Sequence, residues 1–258
     1  MMTDNQILAE YKEGRRYFRE IEVTSTANFG GADLTDADFA LARLAGANFA
    51  KAILNGVNFP GADLCSAELQ GAQLLGASLS GTRLDYANLS EARLGGADVV
   101  QSSLVRAKLR RADMDSVDLS GSDLSYADLS RSTLRHSNLT AVVLTGAMCE
   151  SVLLGNTILS DLDIGPLCDA GTDVEFDLYG PCIIDWRTIV HSYGHPRFKE
   201  FLQRAGTPEV FIEYLVDCAR SLSPKGVFRM LQSTFISYGG PDTARSEERR
   251  VGKECRSR

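Results

Sequence analysis

The chain has 258 residues and a formal charge of −7. No apolar run reaches the roughly 18 residues that a membrane-spanning helix needs, and the acidic balance argues against nucleic acid as a partner. Its six cysteines are scattered without a C-x-x-C pair, which indicates neither a disulfide framework nor a zinc site. The N-terminus, Met1-Met2-Thr3-Asp4-Asn5-Gln6, lacks the basic and apolar regions of a signal peptide. A reduced, cytoplasmic protein is expected.

From the N-terminus, Asn5 to Glu13 reads as a short amphipathic helix with Ile7, Leu8 and Tyr11 on its apolar side and Gly14 as its stop. Arg15 to Val23 then alternates loosely, with Tyr17, Arg19, Ile21 and Val23 against charged neighbours, as a strand does. Together, residues 1–26 are expected to cap the segment that begins at Ala27.

That segment has a period of five. Phe29, Leu34, Phe39, Leu44, Phe49, Leu54, Phe59 and Leu64 begin a register that runs to Ile164 with no insertion or deletion. A small residue, usually Ala, stands two places before each step. Five fits neither the 3.6 of a helix nor the 2 of a strand, so it marks a repeat architecture. Ala32-Asp33-Leu34, Ala62-Asp63-Leu64, Ala87-Asn88-Leu89 and Ala127-Asp128-Leu129 carry the resemblance: residues 27–166 resemble the pentapeptide-repeat family. The resemblance implies an all-β solenoid in which four pentapeptides make one square turn of a right-handed quadrilateral β-helix. Side chains twenty apart then stack, so Phe29 lies over Phe49 and, on the opposite face, Phe39 over Phe59. At one β-strand spacing per turn, roughly seven coils make a rod about 30–35 Å long. The recurrent glycines two places after a step, such as Gly46, Gly56 and Gly61, serve tight corners.

From Val142 the positions flanking the centre turn apolar (Val142, Val143, Met148, Val152, Leu153, Ile158), and these last coils are expected to pack against the C-terminal segment. Residues 167–230 read as a helical connector. Asp185 caps one helix, Pro196 opens another with Phe198, Phe201 and Leu202 on one face, and Thr207-Pro208 starts a third. In residues 231–244, the stretch Gln232 to Asp242 resembles the first strand and following loop of a TIR domain. Phe235, Ile236, Ser237, Tyr238 and Asp242 match that motif. The connector is similar to those between pentapeptide repeats and TIR domains in bacterial proteins. That resemblance implies an α/β signalling or defence unit that self-assembles and in some members cleaves NAD with a glutamate, which here would lie beyond Asp242. Residues 245–258 look like translated sequencing-adapter DNA, since AGA-TCG-GAA-GAG-CGT encodes Arg245-Ser246-Glu247-Glu248-Arg249. This tail holds six basic and three acidic residues, so the remaining chain carries −10.

No catalytic, cofactor or metal site is expected. His136 falls on the rod surface, and His191 and His195 flank Gly194 and precede Pro196, which breaks the helix that could pair them on a metal. Residues 27–166 carry thirteen Asp and three Glu against eight Arg and two Lys, and some pentapeptide proteins imitate duplex DNA to engage gyrase. Asp113, Asp118, Asp123 and Asp128 fit such mimicry. Arg106, Lys108, Arg110, Arg111, Arg131 and Arg135 interrupt it, because a duplex offers nearly unbroken negative charge. The sequence therefore reads as a non-catalytic scaffold with protein partners, self-association among them, that presents a TIR effector cut off here. A gyrase-acting DNA mimic and, for the uncut product, an NAD-cleaving enzyme are the alternatives. Sequencing the locus with independent primers is expected to replace Arg245–Arg258 with roughly 100 residues of alternating strands and helices. An intact frame that still encodes the tail would refute this.

Overall fold

A computed structural model describes residues 2–23, 27–170, 175–176 and 182–213. The five-residue unit becomes one side of a square coil, and four of its five N–H groups are held by backbone carbonyls. In the side centred on Leu54, Ile53 N–H donates to the Ala32 carbonyl of the coil before (2.8 Å). Leu54 and Gly56 donate to Gln73 and Leu75 of the coil after (2.7 and 2.9 Å), and Ala52 N–H closes the preceding corner onto Phe49 (3.0 Å). The fifth N–H, one place after the centre, is held by a side chain on those sides that place an acceptor for it: Ala50 N–H is held by Asn48 Oδ1 (2.9 Å) and Leu75 N–H by Asn55 Oδ1 of the coil before (3.1 Å). Parallel bridges join residues twenty apart from Asn28↔Asn48 to Asn138↔Ile158. Hence no coil can satisfy its backbone alone.

Each corner needs a left-handed residue two places after the centre, with φ of 64° at Gly56, 60° at Tyr86 and 59° at Arg106. A positive φ at the second central residue alone defines a type II turn. The four sides form four faces. The first carries the centres Phe29 to Cys149, the second Leu34 to Leu154, the third Phe39 to Leu159 and the fourth Leu44 to Leu144. Phe29, Leu34, Phe39, Leu44, Phe49, Leu54, Phe59 and Leu64 are all fully buried. Their rings stack at 4.8 Å (Phe29–Phe49) and 5.5 Å (Phe39–Phe59), and Phe49 meets Phe59 edge-on at 6.0 Å.

The ladder begins ahead of residue 27. Tyr17 bridges Asp38 and Glu22 bridges Arg43, so the alternating segment makes two sides of a coil, and Phe18 stacks on Phe39 at 5.3 Å. Val23 and Phe29 are six apart rather than five, and this one extra residue hides those sides from a strict period. Helix α1 (Asp4–Lys12) closes the end through a reciprocal cap between Thr3 and Gln6. It seats Ile7 in the core, and Tyr11 donates from its hydroxyl to the Thr35 carbonyl (2.8 Å).

At the other end, β1 (Leu153–Leu154) and β2 (Ile158–Leu159) precede α2 (Gly165–Asp169). The chain then returns to the ladder: β3 (Glu175–Phe176) lies parallel to β1, and β4 (Ile183–Ile184) parallel to β2. Helices α3 (Trp186–Ser192) and α4 (Phe198–Arg204) come next. Asp185 ties the junction together, accepting from Thr188 N–H (3.0 Å), Asp161 N–H (3.1 Å) and the Ser160 hydroxyl (2.8 Å). Because β3 and β4 extend only the second and third faces, Leu153 and Ile158 are half-buried while Val143 and Met148 stay 43% and 52% exposed. The expected packing of the last coils thus reaches two faces of four among the described residues.

Burial by itself would raise the Asp185 carboxyl, but its hydrogen bonds outweigh that and hold it below the ordinary value. Its contribution is therefore present above about pH 4 and disappears as pH falls through the lowered value. In urea melts at pH 7, Asp185→Ala is expected to cost about 0.5–2 kcal/mol and Phe49→Ala about 3–5 kcal/mol. Only the Asp185 difference should vanish in acid.

Candidate functional site

Inside the repeat coils the apolar centres leave chemistry only to polar groups that stray among them. Where the small residue before a centre is Ser or Thr, its hydroxyl is buried, and at several such places it donates to a centre carbonyl of the coil before. Thr82 reaches Phe59 (2.9 Å), Ser102 Leu79 (2.7 Å), Ser122 Val99 (2.6 Å) and Ser137 Met114 (2.7 Å). These hydroxyls fill a lone pair that the ladder leaves open, so they are structural. By sequence the position reads only as small; the alternation of Ala with Ser or Thr is the signal that could have found them. Ser132 Oγ is the buried hydroxyl without a partner.

The four described thiols are free. Burial pushes Cys149 and Cys168 up to about 12 and Cys182 to about 11, and burial followed by the Asp63 carboxylate takes Cys65 to about 11. Thiols this basic are poor nucleophiles at neutral pH. His191 and His195 turn to different carboxylates, Asp161 (3.4 Å) and Asp169 (2.9 Å), and His136 stands exposed at a corner. Among the described residues no cluster of three metal-ligating side chains occurs, and no helix is long and apolar enough to cross a membrane. A cleft of about 200 Å3 opens on the fourth face where the ladder stops, lined by Val142, Val143, Asp161, Asp163, Pro166 and His191.

The outer faces hold the rest. Most rod aspartates have a backbone duty: the residue before the centre accepts the N–H of the residue after it. Asp98 holds Val100 (3.1 Å), Asp118 Ser120 (2.9 Å), Asp123 Ser125 (2.9 Å) and Asp128 Ser130 (3.0 Å). The acidic columns therefore arise from turn chemistry, the Asx turn. Cations commonly neutralise them one coil away, as in Arg83–Asp63 (3.1 Å), Arg110–Asp128 (3.1 Å) and Arg135–Asp115 (3.6 Å). At the corner between the fourth and first faces, the Arg106 guanidinium lies between the rings of Tyr86 (6.0 Å) and Tyr126 (5.5 Å). A Cβ on Gly146 would come within 2.7 Å of the Tyr126 ring, so this glycine is the shelf the ring rests on. The TIR-like residues Phe235, Ile236, Ser237, Tyr238 and Asp242 lie outside the described residues, as does the tail from Arg245.

A filled square solenoid with turn-bound aspartates and a helical end-piece is a repeat protein that presents surfaces. The profile of the pentapeptide repeats matches residues 25–61, 42–81, 87–125 and 122–161 in eight copies. The chain belongs to the pentapeptide-repeat family, whose solved members are right-handed β-helices. HetL, a pentapeptide repeat protein involved in heterocyst differentiation regulation in the cyanobacterium Nostoc sp. strain PCC 7120, is 32% identical over 71% of this chain and 93% of its own, with a TM-score of 0.30. QnrB1, a plasmid-mediated fluoroquinolone resistance protein, is 21% identical over 66% of this chain and 82% of its own, with a TM-score of 0.35. Rfr23 from the cyanobacterium Cyanothece 51142 is 18% identical over 70% and 99%, with a TM-score of 0.25. No curated protein matches the chain.

Alkylation of the native chain by iodoacetamide at pH 8, mapped by peptide mass, is expected to spare Cys149, Cys168 and Cys182 and to label all three after unfolding. Rapid labelling of Cys149 in the folded chain would contradict its burial.

Proposed function

We propose that the chain is a non-catalytic scaffold of the cytoplasm that engages other proteins through its outer faces and presents a TIR signalling or defence unit. The filled interior carries this reading. The centres from Phe29 to Leu64 are fully buried, and a core packed to that degree has no room for a substrate. The Gln232–Asp242 stretch supports the TIR part by its resemblance to that domain's opening strand. In this reading the rod sets spacing, and the connector joined to it through Asp185 carries the signalling unit.

Gyrase mimicry is the weaker reading for a physical reason. Asp98, Asp118, Asp123 and Asp128 are explained by the N–H groups they hold, and several carboxylates are neutralised by arginine. The chain is expected to leave NAD uncleaved in a controlled turnover assay and to leave gyrase supercoiling unchanged at large molar excess. Turnover of NAD would overturn the non-catalytic reading, and inhibition of gyrase would restore the mimic.

A further inference from the structure

Cations on this rod find carboxylates at several levels: Arg19 with Asp38 (2.6 Å), Arg43 with Glu22 (3.9 Å), Arg83 with Asp63 (3.1 Å), Arg110 with Asp128 (3.1 Å) and Arg135 with Asp115 (3.6 Å). Arg106, Lys108, Arg111 and Arg131 break the rule. All four are exposed, and among the described residues none has a carboxylate within ion-pair distance. They occupy one place: Lys108 is on the first face, Arg106 on the corner before it, and Arg111 and Arg131 one coil apart on the corner after it. Lys51, three coils earlier on the corner column of Arg111, and Arg93, on the second face, also lack an ion pair among the described residues. The basic edge is also pre-shaped, because Arg106 is held between Tyr86 and Tyr126, which are 58% and 54% exposed. Tyrosine and arginine fixed in this way are the side chains that dominate protein interfaces.

On the opposite, third face, Asp98 and Asp118 are bridged neighbours one coil apart, and neither has a cation partner among the described residues. Each uses one oxygen to hold its own turn, leaving the other outward. Ser78, Ser80 and Ser120 on that face and Gly81 and Gly121 at its corner keep the approach low on either side of the Val100–Gln101 pair. We propose that this rod associates side by side with a second copy of itself, the Arg106–Lys108–Arg111–Arg131 edge of one copy lying along the Asp98–Asp118 column of the other.

The spacing selects the partner. Arg111 and Arg131 are separated by one coil rise, about 4.8 Å, and so are Asp98 and Asp118. A second coil stack matches both pairs in one register, whereas a partner without this rise matches one pair at a time. Since the edge and the column lie on opposite sides of the same rod, the contact is heterologous and leaves a free surface of each kind, so association is open-ended. This contact rests on the scaffold reading only in treating the rod as an interaction surface. It is measured with neither NAD nor gyrase present, so the two can fail separately.

The test is sedimentation velocity on the full chain across a concentration series, at low salt and at about 0.5 M salt, where charge attraction is screened within a few ångströms. The wild type should grow in mass with concentration at low salt and disperse at high salt. Arg111→Glu with Arg131→Glu should weaken association at least tenfold, as should Asp98→Asn with Asp118→Asn, which keeps an oxygen for each turn. Circular dichroism should show both variants folded. Mixed together, the two variants retain one intact edge and one intact column between them, and they should form a 1:1 pair that grows no further. A wild type that stays monomeric at low salt would overturn the proposal. So would folded variants that associate as the wild type does, or a mixture that yields no pair.

Discussion

The constraint on which this structure depends is the backbone accounting of a five-residue side. Four N–H groups per side are committed to a corner or to the neighbouring coils, and the fifth is left for a side-chain acceptor or for solvent. An Asp or Asn before the centre supplies that acceptor within its own side, and an Asn or Asp after the centre supplies it to the next coil. The repeat's preference for acidic and amide residues is thus first a matter of satisfying a donor. The negative charge of the faces is its by-product. This is why the charge pattern is a poor guide to function until the aspartates paired with arginine are separated from those without a cation partner.

The same geometry decides where large side chains can stand. Each corner asks for a left-handed backbone, which costs a residue with a Cβ about 1–2 kcal/mol. Glycine relieves this at Gly46, Gly56 and Gly61, yet Leu41, Tyr86, Arg106, Arg111, Tyr126 and Arg131 hold the same conformation. The ladder on either side over-determines them. Such corners project their side chains into solvent, and the tyrosine–arginine stack and the unpaired arginines are found there. A surface built on corners is rigid because the coils above and below it are.

The ends depend on the ladder as well. A coil stack leaves its terminal donors and acceptors open, and solenoids need covers. At the N-terminus, α1 and the two coil sides with Phe18 and Val23 provide one, sealed by Ile7. At the C-terminus, β3 and β4 add strands to two faces before α3 docks through Asp185 and Thr188, whose hydroxyl donates to the Leu159 carbonyl (2.9 Å). Among the described residues the remaining two faces end at exposed Val143 and Met148, with a cleft beside Val143.

The repeat was legible in the sequence as a strict period of five. The resemblance of its units to pentapeptide repeats implied the square turn and the twenty-residue stacking of Phe29, Leu34, Phe39 and Leu44 on their successors. The period could not reveal Phe18 and Val23, because one extra residue before Phe29 shifts their phase, and only bridges to Asp38 and Arg43 restore it. Nor could composition separate a turn-bound aspartate from a free one, or a paired arginine from an unpaired one. Asp63 and Asp98 occupy equivalent places in the repeat, yet one has Arg83 a coil away and the other no cation among the described residues. That difference depends on which side chains fall twenty residues apart and where their tips reach. By itself the sequence determined which residues form the interior, through an unbroken five-residue register of apolar centres; the tertiary structure decided the surface, because charges there meet only across coils.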